Sequence, residues 1–282
     1  MRPAWVTGIG LWTPGFDSPE RWASGQPDPG ETEPACAVVP ARQRRGTSLV
    51  TRIGLDVMGQ AATRGGADLS TACLVYGSAF GEFRTAIDQL RMMEEPEGRL
   101  SPARFKNSVH NTATGILSIA FENREPGTAI SGGRSTFAMC VLEALLLLDH
   151  RGGTVVVGVA DDSLEVPLCR GPAFAPLGVA LCLVGEMTLG GNPFPRKGVS
   201  PGPPSPKALT DFPNFTGQLA WLERGGPNDH HSVAEELRHN PASAGLPLVE
   251  ALLARRAGRV SLVPDDPDPC SVEVRFPDGD VP

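Results

Sequence analysis

Short apolar-rich runs bounded by glycine recur along the first two thirds of the chain. Residues 5–9, 72–76, 154–159 and 179–184 are of strand length, and their continuous apolar character predicts strands covered on both faces. Between them the apolar spacing changes to that of helices. Residues 49–63 carry Val50, Ile53, Leu55, Val57 and Met58, and residues 82–93 carry Phe83, Ile87, Leu90 and Met93 close to one face. Residues 111–121 give a weaker helical pattern. Residues 135–150 are apolar nearly all round, broken by Glu143, which predicts a helix buried inside the structure. Ser135 or Thr136 is placed to cap its start and Gly152-Gly153 to end it. Alternating strands and helices predict an α/β fold around a largely parallel sheet.

The texture then changes. Residues 189–229 contain Gly190-Gly191, Pro203-Pro204, Pro213 and Gly225-Gly226-Pro227 among other prolines, which predicts a long irregular segment. Phe212, Phe215, Leu219, Trp221 and Leu222 lie within it and are expected to pack part of it onto the core. Order returns with a short helix over 246–254 and strands over 259–263 and 271–276. In the last, Val272, Val274 and Phe276 alternate with Ser271, Glu273 and Arg275. The expected organisation is therefore 1–188, an irregular 189–229, and a small α/β tail over 230–282 packing on the same core. The chain shows no internal repeat.

Composition narrows the function. The net charge of -7 argues against a phosphate-binding surface, and Arg42, Arg44 and Arg45 are read as a solvated surface cluster, so no nucleic-acid partner is expected. The apolar run 137–148 is too short to span a bilayer and the start of the chain has no signal-peptide pattern. The expectation is a soluble, cytoplasmic protein. The six cysteines have neither zinc-ligand nor disulfide-framework spacing, so reduced buried thiols are expected.

Most chemical motifs are absent. Gly8-Ile9-Gly10 follows a strand, but Thr13 stands where a dinucleotide fingerprint requires glycine. There is no phosphate-binding G-x-x-x-x-G-K-[ST] and no G-x-S-x-G. His231, Glu235 and His239 would share one helical face at a spacing able to hold a metal. The segment lacks an apolar frame to fix such ligands, so the expected reading is a solvated face, with no metal and no cofactor.

The order of the segments resembles the N-terminal domain of the β-ketoacyl synthases. Val6-Thr7-Gly8-Ile9-Gly10 is similar to their first strand and turn, and Val75-Tyr76-Gly77-Ser78-Ala79-Phe80-Gly81 to a later glycine-rich strand end. The run from Ser101-Pro102-Ala103-Arg104-Phe105-Lys106-Asn107-Ser108-Val109-His110-Asn111 to Ile119 resembles the loop and helix that precede the nucleophile strand. Gly127-Thr128-Ala129-Ile130-Ser131-Gly132-Gly133-Arg134-Ser135-Thr136-Phe137-Ala138 resembles the nucleophile elbow and its buried helix. Asn240-Pro241-Ala242-Ser243-Ala244-Gly245 and the helix after it resemble short, chain-length-factor-like synthase homologues of aryl-polyene and polyketide gene clusters. The resemblance implies a thiolase-like fold, the N-terminal half of a ketosynthase with a mixed sheet and helices on both faces, and a natively short chain.

That resemblance also says what is missing. A condensing synthase needs a thiolate at the start of the buried helix; here the elbow reads Gly133, Arg134, Ser135, with Arg134 at the nucleophile position. Guanidinium has no lone pair for attack. The two histidines that synthases take from their C-terminal half have no matching motif; His230, His231 and His239 inherit no role. Cys140 is expected to face the core. Arg134 is expected to be buried and to pair with Glu82, Asp161 or Asp162, the other reading being an anion such as a malonyl carboxylate or a phosphopantetheine phosphate. The implied pocket and pairing surface comprise Phe105, Asn107, His110, Asn111, Arg134 and Phe137. The implied function is a non-catalytic partner in polyketide, aryl-polyene or fatty-acid-type biosynthesis, pairing with itself or with a full ketosynthase and serving acyl carrier protein. The alternatives are an acyltransferase or thioesterase-like enzyme using Ser135 or His110, and an apolar small-molecule binder.

Overall fold

The computed structural model describes residues 1–95, 101–164, 172–185, 217–222, 233–263 and 269–276. Its strands are β1 (Ala4–Trp12), β2 (Cys73–Gly77), β3 (Gly127–Ile130), β4 (Thr154–Asp161), β5 (Leu177–Gly185), β6 (Gly217–Leu222), β7 (Gly258–Ser261) and β8 (Ser271–Arg275). Its helices are α1 (Pro19–Ser24), α2 (Ala41–Arg44), α3 (Leu49–Arg64), α4 (Phe83–Glu94), α5 (Pro102–Lys106), α6 (Thr112–Ala120), α7 (Thr136–Arg151) and α8 (Leu246–Leu253). Every run read as a strand forms one. β6 is new: it arises inside the stretch expected to be irregular, where Leu219 and Trp221 alternate with Gln218 and Ala220 between glycine- and proline-rich flanks.

The eight strands form one sheet in the order β3-β2-β4-β5-β1-β6-β8-β7. The expectation of a largely parallel sheet is corrected. Only β2 runs parallel to its neighbours β3 and β4; β4–β5, β5–β1, β1–β6, β6–β8 and β8–β7 are antiparallel. Continuous apolar runs mark strands covered on both faces, and antiparallel strands meet that condition when helices lie above and below them.

Alternation along each strand assigns the two faces. Val155, Val157 and Val159 of β4 and Leu177, Val179, Leu181 and Leu183 of β5 join one core with Phe137, Val141, Leu145 and Leu148 of α7. Val156, Ala160, Ala180 and Cys182 face the other side, toward Ile53, Val57 and Met58 of α3. Each fully buried leucine or phenylalanine contributes about 1.5–3 kcal/mol. The α3 face is built of small residues so that the helix can sit directly on the sheet. A Cβ on Gly10 would lie 2.0 Å from the Val57 carbonyl oxygen, and one on Gly8 2.2 Å from that of Ala61. Gly8 and Gly10 therefore lie within the strand interior, not in a turn as their resemblance implied. α3 starts at Ser48, whose hydroxyl accepts the Thr51 N–H at 3.1 Å.

The C-terminal residues belong to this same layer structure. A 3-10 turn, Pro241–Gly245, runs into α8, and both add to the α7 side of the core. Residues 235–239 form turns, so the helix that would have aligned His231, Glu235 and His239 is not formed over the part described; His231 and His230 lie outside the described residues. Phe212 and Phe215 also lie outside them.

Candidate functional site

The end of β3 leads into the elbow. Gly133 has φ +57°, a left-handed conformation that favours glycine. Gly133–Ser135 form a 3-10 turn, and Thr136 fixes the start of α7: its hydroxyl donates to the Gly133 carbonyl at 2.7 Å and accepts the Gly132 N–H at 3.1 Å. Arg134 is exposed on this turn. The expectation that it is a buried charge is thus corrected: three consecutive residues, Gly132 to Arg134, form the outer surface of the elbow. Each of the three carboxylates named as its partners also holds other groups. Glu82 accepts the hydroxyls of Ser48 and Thr85, both at 2.8 Å, and of Thr51. Asp162 pairs with Arg84 at 2.9 Å. Asp161 serves the turn after β2.

That turn is held by a set of buried and part-buried hydrogen bonds. Asp161, fully buried at the end of β4, accepts the Ser78 hydroxyl at 2.8 Å and the N–H groups of Ala79 and Phe80, both at 3.1 Å. Burial pushes its carboxyl up to about 6, against the lowering effect of those hydrogen bonds. Ser78 in turn accepts the Gly81 N–H at 2.8 Å. The backbone carbonyl of Asp161 accepts the side-chain amide of Asn240 at 3.1 Å, and Asn240 also donates to Ala175 at 2.9 Å. One strand end thereby holds both the turn over the elbow and the tail.

Cys140, the thiol that α7 carries, is buried in the core, and burial raises its pKa. His110 places Nε2 2.9 Å from the Ile130 carbonyl oxygen, which also accepts the Ser78 N–H at 3.2 Å. Its ring fills the space that a side chain on Gly81 would take, 2.7 Å from that Cβ position. His110 and the elbow are therefore brought to the same end of β3. The remaining pocket candidates scatter. Phe137 is buried against Gly245, whose Cβ position lies 2.7 Å from its ring. Asn107 is buried and donates to the Gly46 carbonyl at 3.1 Å. Phe105 and Asn111 are exposed. A shallow concavity lies instead beside α4, lined by Ser48, Phe80, Glu82, Arg84, Asp162 and Ser163 among others. Among the described residues no three His, Cys, Asp or Glu side chains cluster as a metal site would require, and no helix is long and apolar enough to cross a membrane.

The resemblance implies pairing around the strand and buried helix of the elbow, here β3 and α7, although no β3 residue stood among the named candidates. Among the described residues β3 is the last strand of the sheet. Leu74 N–H donates to Pro126 and Ser78 N–H to Ile130, so in a parallel ladder the polar groups of Gly127 and Ala129 point away from β2, to the open side. Exposed apolar side chains flank this edge: Ile119 of α6 is 69% exposed, Met139 of α7 43% and Leu146 of α7 46%. The signal in the sequence was the small, uncharged edge strand itself; edges meant to stay unpaired carry lysine, proline or a bulge.

The family model for the β-ketoacyl synthase N-terminal domain matches residues 20–192. Among solved structures, a ketosynthase (ApeO) in complex with its chain length factor (ApeC) from Xenorhabdus doucetiae aligns with a TM-score of 0.64 at 18% identity, over 98% of this chain and 100% of that chain. The ishigamide ketosynthase/chain length factor aligns with a TM-score of 0.52 at 17% identity, over 65% of this chain and 62% of that one. A β-ketoacyl synthase from Burkholderia phymatum STM815 aligns with a TM-score of 0.55 at 12% identity, over 82% and 66%. A search of curated protein sequences finds no match. At these identities the structural likeness establishes the thiolase-like fold, and the match of the family model over more than half of the chain establishes that it belongs to the β-ketoacyl synthase N-terminal domain family.

Proposed function

We propose that this chain is a non-catalytic, chain-length-factor-like partner of a ketosynthase in polyketide or aryl-polyene biosynthesis, and that it pairs through the β3 edge. The observation that carries the proposal is the elbow. The resemblance puts Arg134, between Gly133 and Ser135, at the nucleophile position, and a guanidinium cannot attack. The thiol of α7 cannot substitute, because Cys140 is buried below β2. The edge and its apolar flanks remain, and they offer what a pairing surface needs: open backbone groups and removable apolar area. Likeness to the complex of a ketosynthase with its chain length factor supports the same reading. In it, acyl carrier protein delivers substrates to the partner's active site, and this chain supplies one wall of the assembly.

The test is co-expression with a ketosynthase of the same gene cluster, size-exclusion chromatography with mass measurement, and product analysis with and without this chain. A stable one-to-one complex and a changed product length are expected. An inert single chain with unchanged product would overturn the proposal.

A further inference from the structure

α7 returns along β3, because β3 and β4 both run parallel to β2 and α7 connects them. On its outer face Met139, Glu143 and Leu146 stand four and three residues apart, one stripe of the helix. The ends of the stripe are apolar and exposed. Its centre is a half-buried carboxylate, which accepts the Thr128 hydroxyl of β3 at 3.3 Å. Glu143 therefore lies level with the middle of the four-residue edge strand.

Consider two copies of this chain joined edge to edge. A two-fold pairing is isologous, so the same patch meets itself. For so short a strand the axis must pass within about two residues, roughly 7 Å, of Thr128. The two α7 helices then run antiparallel, side by side on one face of the joined sheet. Met139 of each copy comes opposite Leu146 of the other, a favourable apolar match. The two Glu143 carboxylates come opposite each other at the centre, where partial burial strengthens their repulsion.

We infer that Glu143 makes this chain reject a second copy of itself and select a homologous synthase chain with a neutral or basic side chain at the facing position. This rests on the pairing reading above and deepens it: the surface is built for a heterodimer. Specificity here comes from a repulsive element within an otherwise adhesive stripe.

Sedimentation of the purified full chain tests the inference. Four proteins are compared: wild type, Glu143→Gln, Glu143→Lys and Ala129→Pro. The glutamine keeps an oxygen for Thr128 and removes only the charge, and proline at Ala129 removes an outward N–H of the edge. Wild type is expected to self-associate weakly, Glu143→Gln about tenfold more tightly, and an equimolar mixture of wild type with Glu143→Lys to form mixed dimers in preference to either alone. Two results overturn the role of Glu143 while leaving edge pairing intact. One is a tight wild-type homodimer that Ala129→Pro dissolves; the other is a self-association that Ala129→Pro weakens but Glu143→Gln leaves unchanged. Monomers in every sample, including the mixture, also overturn it. If Ala129→Pro changes neither self-association nor binding to a ketosynthase, pairing through this edge is itself wrong.

Discussion

Gly77 and Cys140 are locked together: a Cβ built on Gly77 would fall 2.4 Å from the Cys140 sulfur. The strand that precedes the turn over the elbow thus sits directly on the thiol of α7. Proximity of a cysteine to a synthase-like elbow is here a packing relationship, and burial raises the thiol pKa rather than lowering it.

Gly77→Ala should therefore destabilise the fold by about 2–3 kcal/mol through overpacking, read as a shift in the urea midpoint. Among the described cysteines of the native protein, a maleimide should leave Cys36, Cys73, Cys140 and Cys182 unmodified, all being buried, and should reach the half-buried Cys270. Peptide mass mapping distinguishes these sites. Rapid labelling of Cys140 would contradict the packing described.

Asp161 gives a pH dependence of defined sign. Its folded value, about 6, lies above the ordinary 3.8. Between these values the native state binds more protons than the unfolded chain, so stability falls as pH rises. The favourable contribution is fully present below pH 3.8 and lost as pH passes through about 6, amounting to about 3 kcal/mol. Asp161→Asn removes this titration. Urea unfolding of both proteins at pH 4 and pH 7 should show the variant gaining relative to wild type at the higher pH; a constant difference would contradict the assignment.

Asn240 holds the tail to the core through bonds to Asp161 and Ala175 and by capping Ala242 at 2.8 Å. Asn240→Ala leaves buried backbone groups unsatisfied and should cost about 2–4 kcal/mol. Limited proteolysis should then cut within 233–263, a segment that resists cleavage in wild type.

Restoring a thiol at the elbow should not restore condensation. Arg134 lies on the exposed face of the turn, so Arg134→Cys should leave the fold in place, read as an unchanged circular dichroism spectrum. Intact-protein mass after incubation with acyl-carrier substrates should show no productive condensation, because the histidines that complete a synthase site have no counterpart motif in this sequence. Turnover by this variant alone would contradict a purely supporting role.

The features that could be read along the sequence were those set by local pattern. Apolar runs located β1, β2, β4 and β5, and the nearly continuous apolar character of residues 135–150 located α7. Strand direction was not legible, since cover on both faces is shared by parallel strands and by antiparallel strands held between α3 and α7. β6 was masked by its flanks: six ordinary strand residues stand among glycines and prolines. The order of residues singled out Gly133–Ser135 but not their exposure, because solvent contact depends on what the neighbouring elements leave uncovered. The bonds from Asp161 to Ser78 and from Asn240 to Asp161 join residues far apart in the chain, where no local spacing announces them. The open edge of β3 likewise follows from sheet order, which only the folded chain displays.

The most direct measurement is the mass of the complex formed when this chain is co-expressed with a ketosynthase of its own gene cluster, compared for wild type and Ala129→Pro. A one-to-one heterodimer that the proline variant weakens at least tenfold is expected. A wild-type chain that elutes alone, or a complex indifferent to Ala129→Pro, would contradict the role assigned to the β3 edge.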